Sequence, residues 1–263
     1  MMRILLAVLL LAAASGARAQ EAVDLELVFA ADGSGSIDDD ELALQRAGYA
    51  AALAHPTILS AIRGGFHQKI AVAFMEWAAP DSQAVIVDWT LIRDDASAKA
   101  FGERLVSAPR AVWGSNSISN AIDFAAAMIT ANAYEGVRKV IDVSGDGPQR
   151  NGKPLELVRQ MTIAKGITIN ALVVVSEGGG YPGPRGEPLT EHYANDVIGG
   201  MGAFMTTARS REEFADAILR KLLLEVADAR PTGRIADAAS GCQAECDAPE
   251  YRQTNKKIQR ITE

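Results

Sequence analysis

The sequence predicts a doubly wound α/β fold with a mostly parallel sheet, helices on both faces and one antiparallel strand at the edge. Apolar runs rich in β-branched residues alternate along the chain with stretches of helical hydrophobic period. The run 25–31 is apolar almost throughout, which is typical of a strand covered on both faces. The runs 69–77 and 84–92 are joined by a short turn containing Pro80, so they should form an antiparallel hairpin.

The remaining elements are predicted from the same two periods. Ile118, Ile122 and Ile129, for example, share one face of a helix. Ser36 is expected to cap the first helix, with Asp39 in the capping-box position. The predicted helices are 39–53, 95–106, 117–131, 155–165, 189–197 and 211–227, and the predicted strands are 25–31, 69–77, 84–92, 137–143, 167–175 and 203–207.

Both ends of the chain differ from the predicted domain, residues 20–230. Residues 1–19 combine a basic start, a short apolar run and an Ala-Arg-Ala pattern, as in a secretory signal peptide cleaved before Gln20. We therefore expect a periplasmic or secreted protein with no membrane span after cleavage, because a spanning helix needs roughly 17–25 residues. Residues 231–263 are polar without a sustained period and are predicted to form a mobile tail.

Composition excludes several classes of function. The chain has 263 residues and a formal charge of −7, so it should repel nucleic acid. Its histidines, His55, His67 and His192, lack zinc-site spacing, and His192 is expected on the surface. Cys242 and Cys246 lie close together in the tail, where a local disulfide is possible in an exported protein.

Three loops rich in oxygen donors lie where predicted strands end or a helix begins. They are 32–36 (Asp-Gly-Ser-Gly-Ser), 114–119 and 144–147 (Ser-Gly-Asp-Gly). If the strands before the first and third loops are neighbours, Asp32 and Asp146 lie close together. Two adjacent carboxylates repel unless a cation lies between them, and carboxylate and hydroxyl oxygens suit a hard divalent cation. The acidic run 38–41 is interpreted instead as a solvated helix start.

The first and third loops resemble the metal-ion-dependent adhesion site of von Willebrand factor type A domains, over roughly residues 23–227. Glu76-Trp77 and the run 142–147 are further similar to a bacterial family of exported proteins with no assigned function. The resemblance implies a bound divalent ion, usually Mg²⁺, with Mn²⁺ and Ca²⁺ as alternatives. It assigns ligand roles to four residues of this chain: Asp32, Ser34, Ser36 and Asp146.

The second loop departs from the family pattern. Asn116 stands where the family usually has threonine. An amide oxygen can also bind a cation, although it reaches further than a hydroxyl. Asn116 is therefore the preferred ligand from this loop, with Ser117 as the alternative.

The resemblance implies a non-enzymatic binding module whose ion captures an acidic side chain of a partner protein. One alternative is a hydrolase in which Asp32 is the nucleophile or the ion activates water. Ser34 occupies the position where such an Asp-nucleophile enzyme would need a second acid, and no Gly-x-Ser-x-Gly elbow occurs. A third possibility is an envelope scaffold in which the site only fixes the loops.

Overall fold

The computed structural model describes residues 20–175, 180–227 and 235–236, and a mixed sheet lies at its centre. The strands are β1 (Glu21–Asp32), β2 (Ile70–Trp77), β3 (Gln83–Ile92), β4 (Tyr134–Gly145), β5 (Ile167–Val174), β6 (Met205–Ala208) and β7 (Ile235–Ala236). Their order in the sheet is β3-β2-β1-β4-β5-β6-β7. Among these described strands only the β2–β3 pair is antiparallel, and β7 is a two-residue strand beside β6. The fold class is therefore confirmed.

Helices cover both faces of this sheet and enclose two apolar clusters. One cluster contains Phe29, Tyr49 and Phe74, with ring centroids 4.7–6.2 Å apart, and the other surrounds Trp77 and Ile122. A π-helical turn, Tyr193–Val197, continues the short helix Leu189–His192. The helices are α1 (Asp39–Leu53), α2 (Pro56–Gly64), α3 (Asp95–Ser107), α4 (Ile118–Thr130), α5 (Leu155–Ala164), α6 (Leu189–His192) and α7 (Arg211–Val226).

Several sequence predictions fall outside the described residues. They are the signal peptide 1–19, the pair Cys242 and Cys246, and the tail except for 235–236, which pairs with β6. Within the described ranges, no helix combines the length and apolar character that a membrane crossing requires.

The start of α1 differs from the prediction. Asp38, and not Ser36, is the N-cap, since its carboxylate accepts the Glu41 N–H at 2.7 Å. The Glu41 carboxylate in turn accepts the Asp38 N–H at 3.0 Å, which completes a capping box. The prediction that 38–41 forms a helix start is confirmed. Ser36 is unavailable as a cap because its hydroxyl donates to Asp146.

Helix α2 was missed by the sequence analysis. It is short, with Pro56 in the first turn and Ile58, Leu59 and Ile62 buried. His55 caps it by accepting the Thr57 N–H on Nδ1 at 3.3 Å. An imidazole is an unusual cap, so the usual Ser, Thr, Asp or Asn start signal was missing.

A buried ion pair joins α1 to the end of β2. The guanidinium of Arg46 lies 2.7 Å from Glu76 Oε1, and the two side chains are 5% and 0% exposed. Arg46 also donates to the carbonyl oxygens of Ala108 and Pro109. These contacts fix the segment that leads into the 114–119 loop. Glu76 therefore acts as the ion-pair partner of Arg46.

Replacing Arg46 with Ala should lower the free energy of unfolding by about 3–5 kcal/mol, because it leaves the Glu76 carboxylate buried without its partner. Urea unfolding followed by circular dichroism measures this loss. The double variant Arg46→Met/Glu76→Leu removes both charges and should lose less. A loss below about 1 kcal/mol for Arg46→Ala would contradict the importance of the pair.

Candidate metal site

The site lies where β1 and β4 leave the sheet side by side. These strands are parallel neighbours, with Ala31 opposite Ser144. From β1 the chain builds outward to β2 and β3, and later returns to place β4 on the other side of β1. Such a reversal of strand order opens a crevice at the carboxyl ends of the strands, which is the usual ligand position in this fold class.

The first and third loops are joined by a continuous run of polar contacts. The Asp32 carboxylate, 1% exposed, accepts the Ser34 N–H at 2.8 Å. The hydroxyls of Ser34 and Ser36 are 3.2 Å apart, and Ser36 donates to Asp146 Oδ1 at 2.8 Å. The structure therefore brings together the four residues that the adhesion-site motif selects from these two loops.

The second loop places Asn116, and not Ser117, against the carboxylates. Asn116 Nδ2 donates to Asp32 Oδ2 at 3.1 Å. Ser117 points elsewhere, since its hydroxyl donates to the Asn151 carbonyl oxygen at 2.8 Å. Because the two ends of an amide are interchangeable by a half-turn, the same side chain could present Oδ1 to a cation.

Glycine is required at two positions close to Asp32. A Cβ on Gly145 would lie 3.2 Å from Asp32 Oδ2 and 2.5 Å from the hydroxyl oxygen of Tyr193. A Cβ on Gly33 would lie 2.6 Å from Val112 Cγ2. The motif glycines thus allow the close approach of loops on which the site depends.

Arg110 holds the first loop, a role that no pattern in the sequence predicts. Its Nη2 donates to the carbonyl oxygens of Gly33, Ser34 and Ile37 at 2.9, 3.1 and 2.8 Å. Its Nη1 donates to Asp39 Oδ1 at 2.9 Å. A lone arginine in an irregular segment has no periodicity or spacing that would predict such contacts.

The two carboxylates are electrostatically unfavourable without a cation. Burial and the neighbouring Asp146 raise the pKa of Asp32 to about 7. Burial, with a smaller effect of Glu41, also raises the pKa of Asp146. A divalent cation would relieve this repulsion, so the donor set of carboxylates, hydroxyls and an amide fits a hard metal ion.

A second group with metal-ligand spacing lies nearby. Single donor atoms of Glu187, His192 and Asp196 lie within 4.8 Å of one another. However, His192 Nε2 accepts the Gln149 backbone N–H at 3.2 Å, so in the neutral ring Nδ1 carries the proton. That Nδ1 lies 2.8 Å from Asp196 Oδ2. The only lone pair of the ring is already used, which argues against a metal here.

The expectation of a surface position for His192 is also wrong, since this residue is only 1% exposed.

Comparison with known proteins identifies the family. The family model described as "Protein of unknown function (DUF1194)" matches residues 22–230. The chain belongs to the DUF1194 family. No curated protein has a significant match to this DUF1194 sequence.

Solved structures show that the DUF1194 chain has a von Willebrand factor type A-like fold. Similar structures include a von Willebrand factor type A protein from Catenulispora acidiphila (TM-score 0.53, 15% identity, 78% of this chain and 42% of that one). The pilus adhesin SpaC from Lactobacillus rhamnosus GG is also similar (TM-score 0.54, 14% identity, covering 80% of this chain and 31% of that one). A third similar structure is proximal thread matrix protein 1 from the mussel byssus, with a zinc-occupied MIDAS motif (TM-score 0.52, 16% identity, covering 79% of this chain and 47% of that one).

At these identities the likeness establishes the fold, and the DUF1194 chain spans 31–47% of the length of these three structures.

The metal-free DUF1194 protein should lose stability as the pH rises from about 4 to about 7. Folded Asp32 keeps its proton up to about pH 7, whereas the ordinary pKa of this group is 3.8, so the folded state binds the extra proton in this window. Burial also raises the pKa of Asp142 to about 7, so this carboxyl group acts with the same sign. Asp32→Asn should therefore make the decline shallower without abolishing it, as measured by urea unfolding in EDTA across this range. Equal slopes for both proteins would contradict the prediction.

Proposed function

We propose that this protein is an exported, non-enzymatic binding module that holds a divalent cation and captures a carboxylate of a partner protein through it. Mg²⁺ is the first choice of ion, with Mn²⁺ and Ca²⁺ as alternatives. The proposed export to the periplasm or the cell exterior rests on the leader-like residues 1–19. The proposed ligands are Asp32, Ser34, Ser36, Asn116 and Asp146.

The observation that carries this proposal is the convergence of these five side chains at the ends of β1 and β4. The contacts between them measure 2.8–3.2 Å, so the donor atoms are already gathered in one place. Asp32 is buried against Asp146 at an energetic cost that a bound cation would offset. A structure shaped only by stability would have little reason to keep this pair.

The charge of the ligands favours an acidic partner. Only two of the five proposed ligands are charged, so the two hydroxyls and the amide leave the site without a surplus of negative charge that would repel a carboxylate. When bound, the cation supplies a positive centre that attracts a partner carboxylate. The Ser34 hydroxyl contacts the Ser36 hydroxyl, which donates to Asp146. Among the described residues, neither hydroxyl has the histidine partner that would mark a nucleophile and its base. This arrangement favours binding over hydrolysis.

Calorimetric titration of the mature protein tests the metal claim. Mg²⁺ or Mn²⁺ should bind at one site, and Asp146→Asn should weaken binding by about 100-fold or more, since even indirect supports of a metal site are worth 10–100-fold. Asp40→Asn is the matched control, because Asp40 is an exposed carboxylate in the first turn of α1, outside the proposed ligand set.

The same titration compares the two neighbours in the second loop. Asn116→Ala should weaken metal binding, whereas Ser117→Ala should leave it nearly unchanged because that hydroxyl bonds to Asn151. Flat traces for the wild-type protein with Mg²⁺, Mn²⁺ and Ca²⁺ would refute the metal claim. The reverse ranking of these two variants would refute the ligand assignment in this loop.

Carboxylate capture can be tested with acetate as a minimal ligand. In the presence of Mg²⁺, acetate should shift the amide NMR signals of residues 33–36 and 146–147. The shifts should vanish in EDTA and in Asp146→Asn, because the positive centre is then lost. Methylammonium at the same concentration is the control. Acetate shifts that persist without metal, or a larger effect of methylammonium, would contradict the proposed mode of capture.

A further inference from the structure

We propose that His192 and Tyr193 are positioning residues for Asp146, because they hold the backbone that follows it at 147–149. The effect on metal binding rests on the function proposed above, while the hold on the loop can be tested by itself. Neither residue belongs to the proposed ligand set. Their role also accounts for the Glu187–His192–Asp196 cluster, which we assign as a support for the site instead of a second metal site.

Tyr193 holds the first part of this segment. Its side chain is fully buried, and its hydroxyl donates to the Gly147 carbonyl oxygen at 3.1 Å. The same hydroxyl oxygen occupies the space beside Gly145 that a Cβ there would need. It therefore contacts the backbone on both sides of Asp146. Burial and the nearby carboxylates keep the pKa of Tyr193 well above its ordinary value, so the hydroxyl keeps the proton that it donates.

His192 holds the second part of the segment. Its Nε2 accepts the Gln149 N–H at 3.2 Å, and because a backbone N–H can only donate, this bond fixes the neutral tautomer. The proton on Nδ1 then points at Asp196, 2.8 Å away. Arg185 donates to the same Asp196 oxygen at 2.8 Å. The Asp196 carboxylate therefore orients the His192 ring through Nδ1, and the ring in turn holds the Gln149 backbone through Nε2.

Gln149 connects this support to the second loop of the site. Its side-chain Oε1 accepts the Ser119 N–H at 2.9 Å, and its Nε2 donates to the Ser119 hydroxyl at 2.9 Å. The next residue, Arg150, donates its N–H to the Asn116 carbonyl oxygen at 3.0 Å. The backbone that carries Asp146 is thus fixed on one side to His192 and Tyr193, and on the other to the loop that carries Asn116.

The two adjacent side chains reach this backbone from an irregular piece of helix. Helix α6 has four residues and continues as a π-helical turn, in which Ile198 N–H donates to the Tyr193 carbonyl oxygen at 3.0 Å. Such turns often occur at functional sites. A hydrogen-bonded pair of side chains that belongs to no ligand set, placed directly behind a proposed ligand, is the expected form of a second layer of support.

Paired substitutions test the role of each hydrogen bond. His192→Asn keeps a donor near Asp196 but removes the acceptor for Gln149, whereas the longer His192→Gln can restore that acceptor. Tyr193→Phe removes only the hydroxyl. Tyr134→Phe, at the opposite end of β4, is the control for loss of a tyrosine hydroxyl. Two quantities are measured for each protein: the affinity for Mg²⁺ by calorimetry, and the hydrogen-exchange rate of the Gln149 amide by NMR in EDTA.

We expect His192→Asn and Tyr193→Phe each to weaken Mg²⁺ binding by about five- to tenfold, the usual effect of losing one hydrogen bond. His192→Gln and Tyr134→Phe should stay within about twofold of wild type. The Gln149 amide should exchange about tenfold faster in His192→Asn than in His192→Gln. A role confined to overall stability would change the melting temperature without separating these two His192 variants.

The metal site and the positioning role can fail independently of each other. If the wild type binds Mg²⁺ and neither His192→Asn nor Tyr193→Phe changes affinity or exchange, the positioning role is refuted and the metal site stands. If the wild type binds no metal, the proposed function fails, and the Gln149 exchange rates in the two His192 variants alone decide whether this residue holds the loop. A second equivalent of Zn²⁺ that is lost in His192→Asn and kept in Tyr193→Phe would show that the cluster is itself a metal site.

Discussion

The pairing of β1 with β4 is the constraint on which the rest of the structure depends. Their parallel register makes both strands end at the same edge, so Asp32 and the loop with Asp146 must emerge side by side. Burial of Asp32, together with repulsion from the neighbouring Asp146, raises the pKa of Asp32 to about 7. The fold therefore creates an unfavourable pair that only a proton or a cation can relieve. The proposed binding activity follows from this one geometric fact.

Much of the surrounding structure keeps the loops at this edge from separating. Arg110 donates to three carbonyl oxygens of the first loop and its flank. Arg46, paired with Glu76, holds the segment before the second loop through the carbonyl oxygens of Ala108 and Pro109. Gln149, just after the third loop, accepts the Ser119 N–H and so links that loop to the first turn of α4. Repulsive groups can stay close only where the backbone around them is held by many such contacts. We interpret these polar contacts as the means by which the structure keeps the repelling carboxylates together, beyond what the fold alone requires.

The sequence predicted the sheet, its antiparallel edge and the loops of the site because these depend on local patterns. Uninterrupted apolar runs marked the strands, and the Asp-x-Ser-x-Ser spacing marked the first loop. It failed where a residue's role depends on distant partners. Ser36 has the composition of a helix cap, but its hydroxyl is taken by Asp146. His192 looks like a surface residue until the fold brings Gln149 against it. No local period encodes either contact.

The location of a bound metal is the most direct test of this account. A crystal grown with Mn²⁺ and measured at the manganese absorption edge reveals each ion by its anomalous scattering. We expect one strong peak among Asp32, Ser34, Ser36, Asn116 and Asp146, with oxygen ligands about 2.1–2.2 Å away, near the short end of hard-cation distances. A peak beside His192 instead, or no peak at the ends of β1 and β4 when Mn²⁺ is in excess, would contradict it.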